Sequence, residues 1–215
     1  MFLGGIMLAE KIAGALLDIK AVSIVDENNL FTWVSGIKSP VYCDNRMTIS
    51  HPAVRKMIAK GFADRIKANY PDAEVIAGTA TAGIPHAAWV ADILDLPMVY
   101  VRSGAKGHGK GKQIEGDFKA GQKVVLIEDL LSTGGSSITA CEALTDEGAD
   151  VLGVLAIFSY NFPAVTEAFA AKSIPFETLS DYKTLLPIAV ERAIVPKAQL
   201  DVLLKWSENP RIFTD

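Results

Sequence analysis

Apolar residues fall along this chain in two rhythms. Nearly unbroken apolar runs at 74–78, 96–102, 124–127 and 150–160 read as strands buried on both faces, the pattern of a parallel sheet. Between them the apolar positions recur at helical spacing. Leu8, Ile12, Leu16 and Ile19 mark an amphipathic first helix over 8–20. A second helix starts at His51-Pro52 and runs to about residue 70, with Arg55, Lys56, Lys60, Asp64, Arg65 and Lys67 as its solvated face. Further helices are expected to reach residue 93, over 137–147 and over 163–172. Another carries Leu185, Leu186, Ile188, Ala189 and Val190 from about Ser180, and the last spans about 196–207 with Pro196 suited to its first turn. Strands alternating with helices imply an α/β fold, a central parallel sheet flanked by helices. Residues 21–46 break the rhythm. Short strands at 31–34 and 41–44 flank Ser35-Gly36-Ile37-Lys38-Ser39-Pro40, which predicts a small lid ahead of the core.

At 215 residues and 50% hydrophobic content the chain fits one domain over 1–215, with a hood mainly from about 8–46 and a core over about 51–215. A net charge of −4 supplies no overall basic field, which disfavours nucleic acid as a partner and makes any anion site local. Cys43 and Cys141 have no metal-ligand spacing and are expected to be free thiols in a reducing cytoplasm. Asp92 and Asp95 interrupt the richest apolar region, so no membrane span is expected, and the first residues lack a signal peptide's basic start. Met7 is a candidate initiator.

The chemistry concentrates where the run Val124 to Ile127 meets Glu128-Asp129, then Leu130-Leu131, then Ser132-Thr133-Gly134-Gly135-Ser136-Ser137. Glycines at a strand-to-helix turn let the backbone approach a ligand, and N–H groups at a helix N-terminus form a cradle for an anion. A carboxylate facing a phosphate would be repelled, so the two acids suit a neighbouring diol such as a ribose. A 5-phosphosugar satisfies both halves. A serine-capped corner would explain the hydroxyls and leave the paired acids without a purpose. Neither a Walker A ending nor a dinucleotide fingerprint is present.

This stretch resembles the 5-phosphoribosyl-1-pyrophosphate (PRPP) motif of type I phosphoribosyltransferases. Phe31-Thr32-x-x-Ser35-Gly36-x-x-Ser39-Pro40-x-Tyr42-x-Asp44-x-Arg46 resembles the hood signature of the orotate branch of that family. The resemblance implies the type I phosphoribosyltransferase fold with a small N-terminal hood, and Mg2+-dependent transfer of phosphoribosyl from PRPP to orotate in pyrimidine biosynthesis. Ser132, Thr133, Gly134, Gly135 and Ser136 would bind the 5′-phosphate, Glu128 and Asp129 would hold the ribose hydroxyls, and Leu130 and Leu131 also belong to the PRPP site. Thr79-Ala80-Thr81, at a second small-residue turn, would hold pyrophosphate. Arg102, Lys106 and His108 fall on the family's cationic loop. That loop, 102–116, is rich in glycine and cations, cannot pack a core, and is expected to move until ligand binds. In relatives it completes the neighbouring site of a homodimer.

For orotate the candidates are Ser132, Lys38, Tyr42 and Arg46, with Tyr42 offering a ring and Arg46 a partner for a carboxylate. Val34, Ala82, Ser103 and Tyr160 stand where many relatives carry lysine or arginine. Mg2+ would be held mostly by substrate and water. A PRPP-sensing regulator and a purine or uracil salvage transferase are the alternatives. The cationic loop favours catalysis over sensing, and the hood favours orotate.

Overall fold

The computed structural model describes residues 2–33, 35–104 and 113–214. Its centre is a six-stranded sheet in the order β10-β9-β8-β5-β6-β7. These are β5 (Val75–Thr79), β6 (Met98–Val101), β7 (Ile114–Glu115), β8 (Lys123–Leu131), β9 (Asp150–Ser159) and β10 (Phe176–Asp181). All pair in parallel except β7, which runs antiparallel to β6. Every residue of β5 is buried, and so are Val124 to Glu128 of β8, as expected of strands covered on both faces.

The helices that cover them are α1 (Phe2–Asp18), α2 (Pro52–Asn69), α3 (Gly83–Leu94), α4 (Gly135–Asp146), α5 (Pro163–Ala171), α6 (Tyr182–Glu191) and α7 (Leu200–Glu208). Helix α1 lies against β10 and α6, while α2 and α3 pack together. From β5 the chain moves outward to β6 in one direction and then crosses back to lay β8, β9 and β10 on the other side. The order therefore reverses between β5 and β8. In open α/β sheets that reversal opens a crevice at the carboxyl ends of the strands.

The hood consists of two small antiparallel pairs. One joins β1 (Val22–Ile24) to β4 (Val41–Cys43), and the other joins β2 (Phe31–Thr32) to β3 (Lys38–Ser39). A 3-10 turn, Asn45–Ser50, leads from β4 into α2.

Four strands went unpredicted, among them the short hood strands β1 and β3. Residues 176–181 form an edge strand, and Asp181 ends it by capping α6 through the amide of Thr184 at 2.8 Å. Its mixed composition, Phe-Glu-Thr-Leu-Ser-Asp, carries no apolar run, because an edge strand is only partly buried. Likewise Ile114–Glu115, expected within the cationic loop, pairs with Tyr100 and Val101.

Tyr160 answers one of the departures noted above. It is 2% exposed, so it is no surface substitute for a base-contacting cation. Its ring lies 5.0 Å from Trp33 and 5.8 Å from Trp206, and its hydroxyl accepts from the Cys43 amide at 3.0 Å. Trp206 donates from Nε1 to the Lys38 carbonyl at 3.1 Å. Side chains from the core and the C-terminal helix thus hold the hood. Both cysteines are free and buried.

Candidate active site

Two strand-to-helix turns meet at the crevice. The turn after β5 runs through Thr79, Ala80, Thr81 and Ala82 into α3, and the turn after β8 runs through Ser132, Thr133 and Gly134 into α4. At both helix starts the N-cap, Ala82 or Gly134, makes no side-chain capping bond. First-turn N–H groups without a cap are donors awaiting an acceptor, reinforced by the positive end of the helix dipole. Because β5 and β8 are neighbours, the two cradles are adjacent.

Local sequence explains both turns. A Cβ on Gly83 would meet the Ile127 carbonyl at 2.5 Å, so only glycine lets α3 start this close to β8. Gly134 takes φ +79°, and a Cβ there would lie 2.6 Å from the Phe169 ring. Gly135 differs, since its nearest atom is Thr133 Oγ1 at 4.0 Å. Its Cα side is therefore open to solvent at the helix start. Thr133 and Ser136 are exposed, Ser132 half-buried. Thr79 Oγ1 is buried and unpartnered among the described residues, a hydroxyl free for a bound group at the opposite cradle.

Between the cradles lie the two acids, in different surroundings. Glu128 is 4% exposed; its Oε1 accepts from the Asp129 amide at 3.0 Å and its Oε2 from Ser137 Oγ at 2.9 Å. Asp129 is only half-buried. Burial, followed by the charge of Asp129, pushes the Glu128 carboxyl up to about 8, and burial raises Asp129 as well. Both carboxyls are therefore harder to ionise here than exposed acids, chiefly because they are buried.

A raised carboxylate makes the folded state bind more protons than the unfolded chain between the two pKa values, so stability falls as pH rises through that window. For Glu128 the window runs from its ordinary 4.5 to about 8. Ligand-free protein should therefore lose thermal stability from pH 5 to pH 8.5. Glu128→Gln, which can accept from the Asp129 amide and donate to Ser137, should flatten most of that slope, leaving the part due to Asp129. An unchanged slope in scanning calorimetry would mean that Glu128 is ionised throughout.

The remaining candidates divide. Arg102, at the end of β6, is half-buried with NH1 3.5 Å from Glu115 Oε1, and its backbone pairs with Gln113. Lys106, His108 and Val34 lie outside the described residues. In the hood, Lys38 Nζ donates to Thr32 Oγ1 at 2.9 Å. Tyr42 is exposed, its ring 5.7 Å from Phe31. Arg46 grips Asp44 at two points, 2.6 and 2.8 Å, which lowers the Asp44 carboxyl while leaving the Arg46 side chain 64% exposed. His86, read as a packed histidine, is indeed fully buried. Sequence reasoning missed Asn45, which is 1% exposed and donates from Nδ2 to the Asp129 carbonyl at 2.6 Å. A lone asparagine after a strand carries no signal of that contact.

Residues 47–173 match the phosphoribosyl transferase domain, so the fold and the crevice belong to a phosphoribosyltransferase. The orotate phosphoribosyltransferase of Fusobacterium nucleatum is 56% identical over 204 residues, covering 94% of this chain and 97% of that one. That of Enterococcus faecalis is 59% identical over 203 residues, covering 94% and 96%. The crystal structure of orotate phosphoribosyltransferase from Aeropyrum pernix superposes with a TM-score of 0.73 at 27% identity, over 85% of this chain and 97% of that one. The chain belongs to the orotate phosphoribosyltransferases. No helix among the described residues is long and apolar enough to cross a membrane.

Proposed function

We propose that the enzyme transfers the phosphoribosyl group of PRPP to orotate, releasing pyrophosphate and forming orotidine 5′-monophosphate in UMP synthesis. The observation that carries this reading is the pair of uncapped helix N-termini on either side of the acid pair, which matches a ribose phosphorylated at both ends. The turn from Ser132 to Ser136 takes the 5′-phosphate, with Leu130 and Leu131 at the end of β8 beside it, and Thr79, Ala80 and Thr81 take pyrophosphate. Asp129, the less buried acid, accepts from the ribose hydroxyls, while Glu128 holds the Asp129 amide and Ser137 in place.

The C1–oxygen bond to pyrophosphate breaks as orotate N1 bonds to C1, with positive charge growing on the ribose ring. Arg102, Lys106 and His108 neutralise the departing charge. Orotate N1 is a weak acid whose proton passes to solvent as N1 bonds to C1, so no strong enzyme base is required and none is assigned. Among the described residues no three acids, histidines or cysteines are grouped to hold an ion. The adjacent carboxylates and the substrate's own oxygens still suit Mg2+, a hard ion that keeps much of its water. Held mostly by substrate and water, Mg2+ would offset pyrophosphate charge, and Glu128 and Asp129 could accept hydrogen bonds from its water ligands. We place the enzyme in the cytoplasm as a homodimer in which the cationic segment between β6 and β7 completes the partner's site.

The test is loss of orotate ultraviolet absorbance with PRPP and Mg2+, beside wells holding uracil, hypoxanthine or adenine. Loss that requires both additions supports the reading. Turnover of another base alone overturns the substrate, and PRPP binding without turnover favours a sensor.

Arg46 provides a check on how orotate is held. Its pair with Asp44 is solvent-exposed and therefore worth little, so a substrate carboxylate can replace Asp44 at small cost. Arg46→Ala should raise the orotate KM by about tenfold or more, the worth of one charged hydrogen bond, with a smaller change in PRPP KM. Equal or absent effects would remove Arg46 from the base site.

A further inference from the structure

The turn Asn45–Ser50 makes buried polar contacts with the end of β8 and with the first turn of α3. On one side Asn45 Nδ2 donates to the carbonyl of Asp129 at 2.6 Å. Pairing of β8 with β5 stops at Ile127, so that carbonyl lies beyond the reach of the β5 ladder and takes a side chain as its donor. The Asn45 Oδ1 atom faces Cys43 Sγ at 3.3 Å, which fixes the amide orientation. On the other side Thr48 Oγ1 donates its single proton to the Asn45 carbonyl at 2.6 Å. It must therefore accept from His86 Nε2, 3.2 Å away in the first turn of α3. Asn45, Thr48 and His86 are each at most 1% exposed.

We propose that this turn is a clasp that fixes the separation of the two cradles, and that Asn45 is a positioning residue for PRPP. A substrate anchored at both ends gains affinity only if its two sites are held at the span it needs. Asp129 belongs to the ribose side and α3 to the pyrophosphate side, and beyond the end of the β5–β8 ladder the clasp adds a buried side-chain connection between them. It also continues into the hood, since the adjacent Cys43 amide is held by Tyr160. The three parts of the site thus share one anchor.

This inference rests on the PRPP reading, but its test does not require turnover. PRPP is titrated calorimetrically, with Mg2+, into wild-type protein and into Asn45→Ala, and steady-state constants and thermal melting are measured alongside. Asn45→Ala should weaken PRPP by about tenfold, the cost of one buried carbonyl left without its donor, with orotate KM within about threefold of wild type. A PRPP affinity within about twofold of wild type, or a fall in melting temperature and kcat with PRPP affinity kept, overturns the clasp. Should Asn45→Ala fail to fold, Thr48→Val decides by the same titration: about fivefold weaker PRPP is expected, and an unchanged affinity overturns the proposal. Wild-type protein that binds PRPP but leaves orotate untouched would overturn the proposed reaction while leaving this comparison valid.

Discussion

Asp129→Asn should lower kcat/KM for PRPP by about 10²- to 10³-fold while leaving the melting temperature near that of wild type. Two ribose hydroxyls donating to one carboxylate make charge-assisted hydrogen bonds worth about 1.5–3 kcal/mol each, and an amide keeps the shape while losing the charge. The loss should appear in kcat as well as KM, because positive charge grows on the ribose ring beside this carboxylate as pyrophosphate departs. The fold should tolerate the change. Asp129 is half-buried, the bonds from its amide to Glu128 and from Asn45 to its carbonyl use the backbone, and an asparagine side chain can keep the remaining side-chain hydrogen bond to Glu128. Initial rates at varied PRPP and fixed orotate, with a melting curve, check both halves. A variant that keeps wild-type kcat/KM would move the ribose away from Asp129, and one that merely unfolds would assign the acid a structural part.

The contrast with Glu128 was not legible in the sequence, where the two acids are adjacent and equivalent. The two side chains hydrogen-bond to each other, yet Glu128 is 4% exposed and Asp129 is less deeply buried, a difference that no spacing in the sequence records. Depth decided their roles. Glu128 spent its oxygens on Ser137 and a backbone amide, whereas Asp129 stayed the wetter of the two.

What the sequence displayed well was whatever repeats with a fixed period or needs a special backbone. The buried parallel strands, the helices between them and both glycine turns fall close to their expected places, since an apolar run leaves few alternatives and glycine marks a turn. Contacts made by single residues far apart in the chain left no such trace. Trp33, Tyr160 and Trp206 meet across more than half the sequence to hold the hood, and no local pattern joins them. For the same reason Tyr160 looked like a missing cation, when its hydroxyl serves the amide of Cys43. Strand β10 escaped notice because exposure dilutes its apolar pattern.

The two adjacent glycines of the PRPP turn look interchangeable, and their substitutions should behave oppositely. Gly134→Ala puts a Cβ at φ +79° and 2.6 Å from a ring carbon of Phe169, which is itself 1% exposed and unable to retreat. Backbone strain and overpacking each cost about 1–3 kcal/mol, so chemical denaturation should show a loss of roughly 2–5 kcal/mol. Gly135→Ala meets no protein atom closer than 4.0 Å and stands at the first position of α4. There alanine relieves the unfolded-state entropy of glycine, so stability should hold or rise by up to about 1 kcal/mol. Its methyl group would instead occupy the space through which a phosphate reaches the uncapped amides. Losing one or two charge-assisted bonds should weaken PRPP by about 10- to 100-fold. A folded Gly135→Ala protein that binds PRPP as tightly as wild type would mean that the 5′-phosphate does not sit at this helix start. Undiminished stability in Gly134→Ala would show that Phe169 and the turn can yield, and that the left-handed glycine is a convenience of the chain rather than a requirement of its packing.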